Sequence, residues 1–220
     1  MNRLTAFQTS IARLFFGIGR SKGYLLGGGG ALLAHGLTNR PTQDLDFVGS
    51  SSTDSADVVA AQFVGTAESH GIETQVIQTG ETFTRLVVTD DAQLVIDIAV
   101  DVPPILNPVT TDAGPTFAPE ELAARKLTAL FGRAEARDFT DIFTLCRRFP
   151  KSLLIEHAKR LDLGFNESEL ATAIHSIRRF QPADFPIDEK DKESMTQFFL
   201  AWAETLDRKS TRLNSSHEWI

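Results

Sequence analysis

The chain has 220 residues, 42% of them apolar and 23% charged, with a formal net charge of −7; that is the balance of a globular chain with a real core, not of a disordered or fibrous one. No stretch approaches the roughly 18–20 apolar residues of a membrane span, and Leu14-Phe15-Phe16 is too short to be the apolar core of a signal peptide. One cysteine, Cys146, excludes an internal disulfide framework and a cysteine-rich zinc site, and suits a reducing, cytoplasmic setting.

Ile11, Leu14, Phe15 and Ile18 recur at helical spacing, so the chain opens with an amphipathic helix that Gly17, Gly19 and Gly23 end. Tyr24-Leu25-Leu26 reads as a short strand, followed at once by Gly27–Gly30 and a helix starting at Ala31. Pro41 forces a turn, and Leu45–Val48 reads as a strand. A helix capped at Asp54, or at a nearby Ser or Thr, runs to about His70. Glu73–Gln78, Thr84–Thr89 and Gln93–Val100 are strands, with Asp90-Asp91 turning between the last two. Prolines 103, 104, 108, 115 and 119 mark a long connection. Helices follow over 119–131 and 137–148, and residues 151–206 are helical with a loop at Gln181–Pro186. The order predicts an α+β (mixed α/β) fold: a core over 1–115 and a helical C-terminal region over 116–206 that completes the site. Residues 207–217 resemble the translation of a sequencing-adapter oligonucleotide, so 207–220 are set aside as a non-native tail.

Charge is unevenly distributed. The first 43 residues hold no acid, residues 44–101 hold eleven acids against the single base Arg85, and residues 120–160 turn basic again. An acidic centre between basic segments is what a site for metal and phosphate needs.

Four segments carry candidate chemistry. In Gly27–Gly30 the missing side chains allow close approach to a ligand, and the helix N-terminus behind them suits phosphate. In Arg40-Pro41-Thr42-Gln43-Asp44-Leu45-Asp46-Phe47, Asp44 and Asp46 share one strand face while Leu45 and Phe47 enter the core. Two adjacent carboxylates are relieved by a shared divalent cation such as Mg²⁺. Asp97, inside a β-branched run, needs a cation or a cleft. It or Asp101 can supply a third carboxylate, and its central position favours Asp97. On the helix pair, Lys126 borders the stripe Ala123, Leu127, Leu130 and Phe131, with an ammonium suited to a triphosphate. Asp138 and Asp141 share a neighbouring side of the second helix. Ordinary ion pairs, Arg137 with Asp141 for instance, account for these helix charges equally well.

The runs Y-L-L-G-G-G-G-A-L-L-A-H-G, R-P-T-Q-D-L-D-F and E-L-A-A-R-K-L-T-A-L-F-G-R-A-E-A-R-D-F-T-D-I-F resemble the AbiEii-type nucleotidyltransferases. These are the toxin halves of bacterial type IV toxin–antitoxin and abortive-infection pairs. The resemblance implies a polymerase-β-like nucleotidyltransferase fold. It also implies Mg²⁺-dependent transfer of a nucleoside monophosphate from an NTP to an acceptor, either RNA (a tRNA 3′ end) or protein, and a cognate antitoxin as partner. Carried over, Gly29 and Gly30 fill the glycine–hydroxyl pair of the first motif; Gly28, Arg40 and Thr42, next to these segments in the sequence, are added as candidate nucleotide-binding residues. Asp44 and Asp46 become the motif's metal carboxylates, to which the strand reading adds Asp97 as the third, Lys126 matches the later lysine, and Asp138 or Asp141 the acid that follows it. Gly30 departs from the pattern, since many relatives place a Ser or Thr hydroxyl there. Arg125, Arg133, Arg137, Arg147 and Arg148 could dock an RNA backbone. Two other readings share these parts: a transferase acting on a small aminoglycoside-like acceptor, and a degenerate module that binds nucleotide without turnover.

Overall fold

A computed structural model of the chain describes residues 3–90 and 92–216. It divides into two compact units, Met1–Leu122 and Ala123–Ile220. The described part is mixed α/β.

The first unit is built on one sheet. Helix α1 (Ala6–Gly17) starts at a capping box in which Thr5 and Gln8 satisfy each other's backbone N–H groups. Strand β1 is Leu25–Leu26 and helix α2 is Gly28–Ala34. The helix therefore begins inside the glycine run, not after it at Ala31: the glycines are its first turn. Strand β2 (Asp44–Gly49), helix α3 (Ala56–Ser69), and strands β3 (Glu73–Gln78), β4 (Phe83–Thr89) and β5 (Gln93–Val100) follow. The helix cap is Ser55, not Asp54, whose carboxylate is drawn to Arg20 at 3.2 Å.

The segment read as an irregular connection contains a small hairpin, β6 (Val109–Thr111) and β7 (Gly114–Thr116). Its glycine and proline content hid it, and the structure gives the glycine a reason. Gly114 has φ +122°, and a Cβ there would stand 2.2 Å from the Phe16 ring. The sheet order is β3-β4-β5-β2-β1-β7-β6. The β2–β5 and β1–β7 pairs are parallel and the other pairs antiparallel.

Strand alternation sets the two faces of this sheet. Leu45 and Phe47 on β2, Leu86 and Val88 on β4, and Leu94, Ile96 and Ile98 on β5 are all buried. Phe15 of α1 stacks flat on Phe47 with ring centroids 3.7 Å apart, and Phe63 of α3 lies against the same Phe15. The opposite alternation gives Asp44, Asp46 and Asp97 the other face.

The second unit is helical. Helix α4 (Pro119–Gly132) contains the boundary between the units, and α5 (Ala136–Leu145), α6 (Lys151–Leu161), α7 (Glu167–His175) and α8 (Glu189–Ser216) follow. Phe139 is fully buried and meets Phe199 edge-on at 5.0 Å, and Phe199 stacks on Trp202. Lys151 lays its ammonium 3.9 Å from the Phe198 ring centroid, a cation–π contact. The tail set aside above continues α8 as far as Ser216, and residues 217–220 lie outside the described residues. No described helix is long and apolar enough to cross a membrane.

Candidate active site

The glycine turn and the acidic strand meet. The Gly27 N–H donates to the Asp46 carbonyl at 2.8 Å. Gly28 has φ +54°, and a Cβ there would stand 1.7 Å from Asp46 Oδ2. The Asp46 carboxylate thus lies directly against the first turn of α2. Glycine is required twice at that position, by backbone conformation and by space.

Arg40 and Thr42 are drawn to the same turn. A Cβ on Gly29 would stand 2.7 Å from Thr42 Oγ1 and 3.7 Å from Arg40 Nη2. The Thr42 hydroxyl donates to Asp44 Oδ1, and the Gln8 side chain on α1 donates to the Thr42 carbonyl at 2.8 Å. Thr42, in the loop before the acidic strand, is therefore tied through its carbonyl to a buried glutamine and through its hydroxyl to the first carboxylate. Gly30 turns away from this cluster: a Cβ there would lie 2.9 Å from Leu45 Cδ2, in the core.

Asp97 joins through the sheet. Asp46 and Asp97 are direct partners in the parallel register of β2 and β5. Across the antiparallel pair, Asp97 faces Arg85 of β4. Arg85 donates from Nε to Asp97 Oδ1 at 2.7 Å and from Nη2 to Oδ2 at 2.6 Å, a two-pronged, charge-assisted pair. The cation that a carboxylate in this run requires is supplied by the chain itself. Asp101 lies beyond β5, exposed, and its N–H donates to the Gly49 carbonyl.

Sequence reasoning named the carboxylates and missed Arg85 and Gln8. Both had a signal. Arg85 is the only base in residues 44–101, and Thr5-x-x-Gln8 is a capping-box pattern.

Among the described residues no group of three or more His, Cys, Asp and Glu gathers to hold a metal ion. The donor set still suits a hard cation. Asp44 and Asp46 offer two carboxylates on one strand face, and Mg²⁺ takes one or two carboxylates together with water and substrate phosphates. Both oxygens of Asp97 are committed to Arg85, so Asp97 is a neighbour of that pair and not a ready third ligand.

In the helical unit, Lys126 Nζ pairs with Asp141 Oδ2 at 2.9 Å, with the Asp141 side chain fully buried. Asp138 has another task. Its carboxylate takes Nε and Nη2 of Arg133 at 2.9 and 2.8 Å and caps α5 by accepting from the Glu135 N–H. Arg137 pairs with Glu135 at 2.8 Å, not with Asp141, the example partner in the ion-pair alternative. Of the arginines considered for RNA, Arg147 holds Asp191 at 2.9 Å and lies over the Phe143 ring. Much of that positive charge is spent within the unit.

A family model described as "Nucleotidyl transferase AbiEii toxin, Type IV TA system" matches residues 18–213. Two solved structures from Helicobacter pylori resemble the whole chain. JHP933 is 19% identical, with 97% of this chain and 99% of that one covered and a TM-score of 0.53. A candidate nucleotidyltransferase is 21% identical, with 96% and 99% covered and a TM-score of 0.54. These likenesses establish a shared fold. No curated protein sequence matches the chain closely enough to count as a relative.

Proposed function

The chain belongs to the AbiEii nucleotidyltransferase toxin family, and from that premise we propose that it moves a nucleoside monophosphate from an NTP to an RNA acceptor, such as a tRNA 3′ end, in a divalent-cation-dependent reaction. Membership implies an NTP substrate and a cognate antitoxin. One observation carries the metal and nucleotide part of the reading: the glycine turn of α2, the Arg40–Thr42 loop and the Asp44/Asp46 pair form one cluster.

Each residue has a physical task. The N–H groups of Gly28–Gly30 and the guanidinium of Arg40 receive triphosphate oxygens. The Thr42 hydroxyl, itself fixed through the backbone by Gln8, aims the Asp44 carboxylate. Asp44 and Asp46 would hold Mg²⁺, which when bound neutralises phosphate charge and makes an acceptor hydroxyl easier to deprotonate. Lys126 is the phosphate-neutralising lysine of the resemblance, and its pairing with Asp141 favours Asp141 over Asp138 as the acid that orients it. Support for RNA comes from the family resemblance and from the basic, acid-free first 43 residues; protein and aminocyclitol acceptors are the comparison arms.

The test is transfer of labelled nucleotide from each NTP, with Mg²⁺ or EDTA, to total RNA, to protein and to an aminocyclitol. Transfer to RNA that Asp44→Asn and Asp46→Asn each lower by about 10³-fold supports the reading, since a bound metal supplies several kcal/mol at the transition state. Wild-type rates in either variant overturn it. A second reading, nucleotide binding without turnover, is favoured by Gly30, which brings no hydroxyl to the phosphates. Saturable NTP binding with no transfer to any acceptor would select it.

A further inference from the structure

Asp44, Asp46 and Asp97 share one face of the sheet, and Asp46 and Asp97 are register partners on neighbouring strands, about 4.8 Å apart along the hydrogen-bonding direction. Carboxylates so close repel one another unless a positive charge joins them. Arg85 is that charge. It takes both oxygens of Asp97, at 2.7 and 2.6 Å. Its own pKa is raised, first by the hydrogen bonds and charge of Asp97 and then by the charges of Asp44 and Asp46. The guanidinium therefore sits in the field of all three acids.

The two partners differ in freedom. The Arg85 side chain is 47% exposed and that of Asp97 only 11%. An arginine on a long stem can swing its head into water; a nearly buried carboxylate on a central strand stays where it is. We propose that Arg85 is the resident counter-ion of the carboxylate cluster and that a divalent cation enters by exchange, taking over Asp97 as the guanidinium swings away.

The inference rests on the metal-dependent reading above and deepens it: cation affinity is set by competition with a side chain of the same sheet. It explains two observations together. The three acids do not converge as a ready-made metal set among the described residues, and yet the chain places them on one face, with Arg85 of the neighbouring strand β4 flanking Asp97. Arg85 would thus keep the cluster neutralised when no cation is present, and Asp97 would become a ligand only once released.

The experiment uses Mn²⁺ alone as the probe, with free Mn²⁺ measured by electron paramagnetic resonance and folding checked by circular dichroism. Arg85→Gln is expected to tighten Mn²⁺ binding about tenfold, the low end of what one neighbouring charge does to an ionic equilibrium. Asp97→Asn is expected to weaken binding, and the double variant to lose most of the gain, because no carboxylate is then released. Arg85→Lys keeps the charge but loses the two-pronged grip, so it should fall between wild type and Arg85→Gln. If the glutamine variant fails to fold, this lysine variant decides by the same criterion. Unchanged or weaker Mn²⁺ binding in a folded Arg85 variant overturns the exchange, as does a full gain in the double variant. Binding abolished by Asp44→Asn but indifferent to Arg85 sinks the exchange and leaves the metal site standing. No saturable binding in any variant overturns both.

Discussion

Lys126 on α4 and Asp141 on α5 form an ion pair at 2.9 Å, with the lysine side chain 12% exposed and the aspartate fully enclosed. A pair this buried is expensive to break from one side, because the remaining charge keeps its desolvation penalty. Lys126→Met should therefore lower unfolding stability by about 3 kcal/mol, besides any effect on transfer. Lys126→Met/Asp141→Leu should recover most of that stability while remaining inactive. Urea denaturation of the three proteins separates the two effects; a single variant as stable as wild type contradicts the burial argument.

Gly28→Ala tests the close approach of the glycine turn to Asp46. The new methyl would enter at 1.7 Å from the carboxylate, on a backbone with φ +54°. Strain of that kind costs about 1–3 kcal/mol, before any displacement of Asp46. A lowered thermal midpoint together with lost transfer is the expected result. Gly65→Ala is the control, since a Cβ there meets nothing within 4 Å; in mid-helix it should be neutral or slightly stabilising.

Asp138 is read as an architectural acid. It is fully buried, grips Arg133 with both oxygens and caps α5. Asp138→Ala should destabilise by about 1–3 kcal/mol, the range for a buried hydrogen-bonding network losing its acceptor. In a chemical role the same change would abolish transfer and leave the unfolding midpoint in place, so denaturation and rate measured on one sample distinguish the two.

Cys146 is expected to be a slow thiol. Burial pushes its pKa up to about 12, against a smaller opposing pull from the Lys151 charge. At pH 8 almost no thiolate forms in the native protein, and the thiolate is the reactive species. Ellman's reagent should label native protein far more slowly than protein unfolded in guanidinium. Equal rates would mean that the thiol is open.

The carboxylates were legible in the sequence because a D-x-D on a strand puts both acids on one face whatever the rest of the fold does. Asp97 was legible for a similar reason, as a charge inside an apolar run. Its partner was not, because cross-strand pairing of Arg85 with Asp97 depends on register, which a linear reading does not fix. The β6–β7 hairpin was hidden for a related reason: three-residue strands rich in Thr, Pro and Gly look like loop, and only pairing with β1 makes them sheet. The helix start at Gly28 was missed because glycine argues against helix by propensity, a preference overridden here by the contact with Asp46.

The side-chain amide of Gln8 grips the carbonyl of Thr42 from the opening helix, and Thr42 in turn aims Asp44. Aim at the acidic pair is thereby inherited from α1, an element that carries none of the proposed chemistry. A ligand that pried α1 from its seat against Phe47 would disarm the acids from a distance, without ever covering them.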